Sequence, residues 1–187
     1  MPTATEVLKK EHQAILKMVE ASETVAQRLR QGEKIPPETL ATFEEFFGTF
    51  ADQCHHGKEE DIFYPLLEAR GVPKAGGPLG VMFDEHEQGR ALVRQMRQAS
   101  AAYASGAEGS AETWANAAEE YGSLLRSHIF KEDNVLFPMA ERVLSGIELN
   151  RVAEDFEKLE VEKMGAGTHE RLHAKMAALL SEVYSAE

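Results

Sequence analysis

One motif occurs twice in this chain, and it limits the folds the chain can adopt. His55-His56-Gly57-Lys58-Glu59-Glu60-Asp61-Ile62-Phe63-Tyr64-Pro65 returns as His128-Ile129-Phe130-Lys131-Glu132-Asp133-Asn134-Val135-Leu136-Phe137-Pro138. Aligned on the Lys-Glu pair and the final proline, both copies read His-x-x-x-Glu, an acidic residue, then an apolar turn. Residues i and i+4 share one face of a helix, so each copy presents an imidazole beside a carboxylate. Two such pairs facing each other across a helical bundle form a container for two metal ions.

The rest of the chain reads as helix, with no run that alternates like a strand. The periodicity predicts a first helix over about Thr5 to Arg30 and a second from Pro37-Glu38 to about Arg70. Proline in the first turn and Gly71 past the end act as start and stop signals. The stretch from Gly71 to Pro78 is a connector. A third helix is predicted over about Leu79 to Ser105, and Gly106 to Ser110 breaks it. The fourth runs from about Ala111 to Leu144 and is closed by Ser145-Gly146. The remainder, Glu148 to Tyr184, reads as a short helix, a Gly165-Ala166-Gly167 turn and a last helix. The expected fold is all-α: an up-down-up-down four-helix bundle (about 5–145) with a C-terminal helical extension (about 148–185), together a single domain spanning 1–187.

Composition narrows the function. A chain of 187 residues suits one domain with a sizeable core. The formal charge of −12 disfavours phosphate backbones, so no nucleic-acid partner is expected. Gly76-Gly77-Pro78 lacks the Lys-Ser/Thr of a phosphate loop. No apolar stretch is long enough to span a membrane, and the N-terminus lacks the basic and apolar regions of a secretory signal. The single cysteine, Cys54, fits a reducing compartment. The expected location is cytoplasmic, as a monomer or small homo-oligomer.

Helical stepping selects the inward residues. From His55 it visits Phe47, Ala51, Glu59, Ile62 and Leu66, an apolar face; from His56 it visits Thr49 and Asp52, which are polar. His55 and Glu59 are therefore read as inner residues, with His56 and Glu60 flanking. The second copy lies on a matching face with Tyr121, Leu124, His128, Glu132, Val135 and Met139. His12 falls between Leu8 and Ile15, and His86 on the stripe of Leu79, Met82, Val93 and Met96. Each long helix thus contributes one inward histidine. Burying four imidazoles and two carboxylates with no cation would cost several kcal/mol per unpaired charge. Nitrogen and carboxylate donors without thiolate suit iron, manganese or zinc.

Three further residues are weighed. His169 and His173, spaced i, i+4, are a pair that can ligate a metal, but no carboxylate shares their face, so they are read as packing. Cys54 is read as a small buried thiol in preference to a redox switch.

The ordered set His12, His55-x-x-x-Glu59, Asp84-Glu85-His86 and His128-x-x-x-Glu132, with its Lys-Glu and Phe/Tyr-Pro tails, resembles the hemerythrin-like (HHE cation-binding) family over about Thr5 to Leu144. That resemblance implies a non-haem di-iron pair. Glu59 and Glu132 would bridge, and His12, His55, His86 and His128 would be terminal ligands, with manganese or zinc as alternative metals. Oxygen carriers of the family add a fifth histidine one turn after the third ligand, where this chain has Arg90. They also carry an aspartate five residues after the last histidine; Asp133 stands at that spacing here, and the inner carboxylate is read as Glu132, four residues after His128. Both departures point away from dedicated carriers, toward family members linked to nitric oxide and oxidative stress, iron-centre repair or peroxide breakdown. The expected ligand is a small molecule such as O2, NO or peroxide. The alternatives are a reversible O2 carrier or an iron sensor or storage module.

Overall fold

A computed structural model describes residues 2–165 and 167–185, all helix and connector, with no strand among them. Ala166, in the middle of the expected Gly-Ala-Gly turn, lies outside the described residues; Gly165 and Gly167 beside it both have positive φ, at 80° and 79°.

Helix α1 is Ala4–Arg30. Thr3 starts it with a capping box, in which its hydroxyl accepts from the Glu6 amide while the Glu6 carboxylate accepts from the Thr3 amide. Helix α2 (37–69) begins with Pro37–Glu45 and ends with Tyr64–Ala69. Between them, Phe46–His56 and Glu59–Phe63 are wound as wide i→i+5 turns. Helix α3 is Pro78–Ala104. Helix α4 (110–143) repeats the device of α2: Ser110–Lys131, a wide turn at Glu132–Leu136, then Phe137–Val143. Ser145 caps helix α5, Gly146–Met164, with a second capping box to Glu148. Helix α6 is Thr168–Ser185.

The wide turns have a structural consequence. An i→i+5 turn takes in one more residue than an α-turn, so the residues after it are rotated by about one position. The sequence face Ile62, Leu66 and Val135, Met139 is accordingly replaced in the core by Phe63, Tyr64, Leu67 and Leu136, Phe137, Ala140. Val135 is left 49% exposed.

Helix α4 packs along both α1 and α3, and the first part of α2 packs on α3. Gly122 lets α1 and α4 approach closely, because a Cβ there would stand 2.4 Å from the Glu23 carboxylate and 3.0 Å from Val19. Helices α5 and α6 lie against α1 and the wide turns of α2.

Two apolar clusters form the core. One holds Ile15, Val19, Phe43, Phe47, Met96, Trp114 and Tyr121. The other holds Leu8, Phe63, Tyr64, Leu79, Met82, Leu136 and Phe137. Along α1 and α3 the second cluster is met first; along α2 and α4 the order reverses. Between the clusters, on all four segments, lies a buried polar layer.

Candidate metal centre

That layer consists of His12, His55, His56, Glu59, His86, His128 and Glu132, each 4% exposed or less. Four of the imidazoles share one arrangement. Nδ1–H of His12 donates to Asp133 at 2.9 Å, that of His55 to Glu11 at 2.8 Å, that of His86 to Glu60 at 2.6 Å and that of His128 to Glu85 at 2.9 Å. Each carboxylate fixes the ring orientation and tautomer of its imidazole, so Nε2 is the free nitrogen and its basicity rises.

The four Nε2 atoms turn to one another and to two carboxylates. His12 Nε2 lies 3.1 Å from Glu132 Oε2, and His128 Nε2 lies 3.3 Å from the same oxygen. His55 Nε2 is 3.5 Å from Glu59 Oε1, and His86 Nε2 is 3.4 Å from Glu59 Oε2. Two groups of donor atoms result, each with all its atoms within 4.8 Å of one another: His12, His55, Glu59 and Glu132, and His56, Glu59, His86 and His128. Glu59 belongs to both.

Several of these atoms are buried without a hydrogen-bond partner: His12 Nε2, His55 Nε2, His56 Nδ1, both Glu59 oxygens and Glu132 Oε2. Buried polar groups are nearly always satisfied, so a cluster of orphans aimed at one another is a donor set suited to a cation. The titration behaviour reflects the same frustration. Burial and the adjacent Glu132 carboxylate push Glu59 well above the usual carboxylate range. Burial opposes protonation of His12, but its bond to Asp133 and the adjacent Glu132 carboxylate outweigh that and raise it to about 10. Burial lowers His55 to about 4 despite Glu11. Nitrogen and oxygen donors without thiolate fit iron, manganese or zinc.

The duplicated motif is a duplicated site. Glu60 and Asp133, each following an inner glutamate, accept from the lone histidines His86 and His12. Glu11 and Glu85, each preceding a lone histidine, accept from the motif histidines His55 and His128. Lys58 and Lys131, each preceding an inner glutamate, donate to Glu11 and Glu85. Tyr64 stacks on His86 and Phe137 on His12, with ring centroids 5.9 and 5.6 Å apart. The equivalence breaks at the phenol, since the Tyr64 hydroxyl donates to Glu132 and Phe137 has none.

A family model for the hemerythrin HHE cation binding domain matches residues 3–140, the stretch that supplies every one of these donors. The chain belongs to that family. An uncharacterized protein of Mycobacterium tuberculosis and another of Mycobacterium bovis are each 27% identical to it over 175 residues, 94% of this chain and 68% of theirs. The iron-sulfur cluster repair protein YtfE of Yersinia pseudotuberculosis is 34% identical over 94 residues, 47% of this chain and 41% of its own length. No solved structure matches.

Within this hemerythrin-like framework, His12, His55, Glu59, His86, His128 and Glu132 lie together in the buried layer, and His56 lies with them instead of flanking. It is buried, stacks on His86 with centroids 3.8 Å apart, and joins the second donor group. The cause is the wide turn at Phe46–His56, which brings both adjacent histidines to the inner side. Arg90, which stands where carriers have a fifth histidine, lies behind His86, donating to Glu60 and Asp52, each at 2.8 Å. His56 thus supplies from α2 the fifth imidazole that α3 lacks.

His169 and His173 stay outside the layer, on α6 against Phe50, with centroids 5.4 and 5.3 Å from that ring. The carboxylate missing from their own face comes from α5: Glu160, Glu11 and His169 bring donor atoms within 4.8 Å of one another. The buried Lys58 ammonium already donates to both carboxylates, however, so a cation is in place there. Cys54 is buried, and burial raises its thiol to about 12, which suits an inert packing residue. Of the carboxylates that orient the imidazoles, Glu60 is read from sequence as flanking and Glu85 falls within Asp84-Glu85-His86, while Glu11 and Asp133 are given no role there. The signal available was positional, an acid before each lone histidine and an acid after each inner glutamate.

Proposed function

We propose that the chain holds two non-haem irons and uses them on a small molecule such as O2, NO or peroxide, in the response to nitrosative or oxidative stress or in iron handling. The observation that carries this reading is the ring of carboxylate-oriented imidazoles whose Nε2 atoms converge on two orphaned glutamates. His12 and His55 would hold one ion and His56, His86 and His128 the other, with Glu59 and Glu132 shared. The name of the Yersinia relative, iron-sulfur cluster repair, supports a stress-related role for this chain. The alternating order in which the four segments meet the two apolar clusters supports an up-down-up-down bundle.

When bound, such an iron pair supplies an open coordination position and electrons for a small ligand. The protein's own groups do the rest. Asp133, Glu11, Glu60 and Glu85 fix the imidazoles before any ligand arrives. Tyr64 holds a proton on its hydroxyl beside Glu132 Oε1, because burial and the two glutamates push the phenol well above its usual range. Phe63, Phe137 and Leu136 exclude bulk water on one side. We read the partners as a small-molecule ligand and no nucleic acid, and the location as cytoplasmic. No helix among the described residues is long and apolar enough to cross a membrane.

One observation favours the second reading, reversible O2 carriage: His56 brings the donor set to five imidazoles. Stopped-flow spectra of the reduced, iron-loaded protein mixed separately with O2, NO and peroxide separate the two readings. The proposed function expects the O2 adduct to decay to the oxidised form and peroxide to be consumed. A long-lived, reversible O2 complex with no peroxide turnover assigns the protein to carriage.

A further inference from the structure

The donor layer is almost sealed, which raises the question of how a ligand enters. His56, at 4%, is its most accessible member, and the others are at 0 or 1%. His56 also forms the inner wall of a pocket of about 210 Å³ between α2 and α3. The remaining wall includes Asp52, Arg90, Arg94 and Arg97. Three guanidinium groups against one carboxylate is an unusual lining in a chain with a formal charge of −12.

The arginines are not equivalent. Arg90 is fully engaged by Asp52, Glu60 and Glu87, at 2.8, 2.8 and 2.6 Å. Arg97 donates to a backbone carbonyl, that of Glu44, at 3.3 Å. Arg94 is exposed and has no carboxylate partner among the described residues. Arg94 therefore leaves positive charge at the mouth, Arg97 shares its charge with the nearby Glu44 carboxylate, and Arg90 pairs with Asp52, which stands 3.5 Å from His56 Nδ1. Gly48 leaves room for the Arg97 guanidinium, which a Cβ there would meet, while a Cβ at Gly89 would only be in ordinary contact with Tyr121.

We infer that this pocket is the entry port for small monoanions of the nitrite or azide class, which Arg94 and Arg97 draw toward His56 and the donor layer. Its volume lies below the ~300 Å³ of clefts that hold drug-sized ligands, which limits the occupant to a few atoms. A larger cavity of about 740 Å³ stops at Glu11 and Lys58, behind His55, and is bordered by Glu6, Glu157 and Glu160, which repel anions. The inference goes beyond the proposed function, whose named ligands are uncharged, and only its iron-loaded arm rests on that reading.

The test uses Arg94→Glu and the double variant Arg94→Glu/Arg97→Glu, with azide and nitrite as probes. In the iron-loaded protein, azide association with the oxidised form should slow by roughly tenfold or more in the double variant. NO association with the reduced form, which is uncharged, should stay within about twofold. Added salt should slow azide in the wild type and not in the variant. In the metal-free protein, azide or nitrite should shift the NMR signals of Gly48, Gly89 and Arg94, and the charge reversals should abolish those shifts. Unchanged azide rates, an equal loss for NO, or anion-dependent shifts clustered around Lys10 and Lys58 would overturn the port. A protein that takes up no iron would defeat the proposed function, while the metal-free titration would still decide the pocket.

Discussion

The ring of His56 lies 3.8 Å from that of His86, inclined by only 16°, although the two residues come from different helices and different motif positions. Ile129 holds the position of His56 in the second motif copy, so the second donor group has three imidazoles and the first has two. Replacing His56 with Ala should therefore act on one metal only. Iron should fall from two per chain toward one, with the helical content unchanged. Replacing His55 should act on the other metal and leave Glu11 without its imidazole partner. Unaltered iron content in His56→Ala would return His56 to a packing role.

The contrast between these two histidines also marks how far the sequence can be read. Helical stepping placed His12 and His86, because α1 and α3 are regular through those positions. It placed His55, His128 and the two inner glutamates by the repeat itself. It failed where the winding changes. Beyond each inner glutamate the core is filled by Phe63, Tyr64 and Leu67, or by Leu136, Phe137 and Ala140, shifted off the expected stripe. Wide turns carry no strong residue signature, so a phase computed at 3.6 residues per turn drifts through them. The expected start of α1 at Thr5 lies one residue from Ala4, whereas Ser145-Gly146, read as closing α4, caps α5, which begins at Gly146 and not at the expected Glu148. The outer carboxylates were hidden for another reason: acids next to the motif look like a solvated face until the partner helix is in place.

Glu59 is the shared donor, and without metal both its oxygens are buried without a partner. Glu59→Gln should stabilise the metal-free protein by about 1–3 kcal/mol, since it removes a carboxyl that burial and Glu132 disfavour as an anion. It should also abolish binding of the second iron. Thermal melts of the metal-free variant alongside elemental analysis check both. A lower melting temperature for metal-free Glu59→Gln would contradict the frustration described here.

Lys58 and Lys131 occupy equivalent motif positions, but their side chains are 1% and 34% exposed. Helices α5 and α6 cover the former. Lys58→Met should cost roughly 3–5 kcal/mol, mainly the cost of leaving the buried Glu11 carboxylate without its cation, with the half-buried Glu160 adding less. Lys131→Met should cost about 1 kcal/mol or less, as expected for a solvent-screened pair. Chemical denaturation of the two variants measures the difference, and equal costs would show that the C-terminal helices do not seal that side.

Tyr64 and Phe137 are equivalent in packing and differ by one hydroxyl. Tyr64→Phe should keep both irons and cost about 1–3 kcal/mol, because it leaves Glu132 Oε1 short of a donor. Its effect should appear in the kinetics of peroxide consumption, since the phenol is the proton held nearest the shared carboxylates. Peroxide kinetics unchanged from wild type would confine the hydroxyl to a structural role.

The central claim is that the buried layer holds two irons in unequal sets of three and two imidazoles. Mössbauer spectroscopy on protein reconstituted anaerobically with iron-57, with the metal counted per chain, tests it most directly. Two irons per chain giving two distinguishable sites are predicted, with one site lost in His56→Ala. One iron per chain, or a single signal untouched by that substitution, would contradict the account.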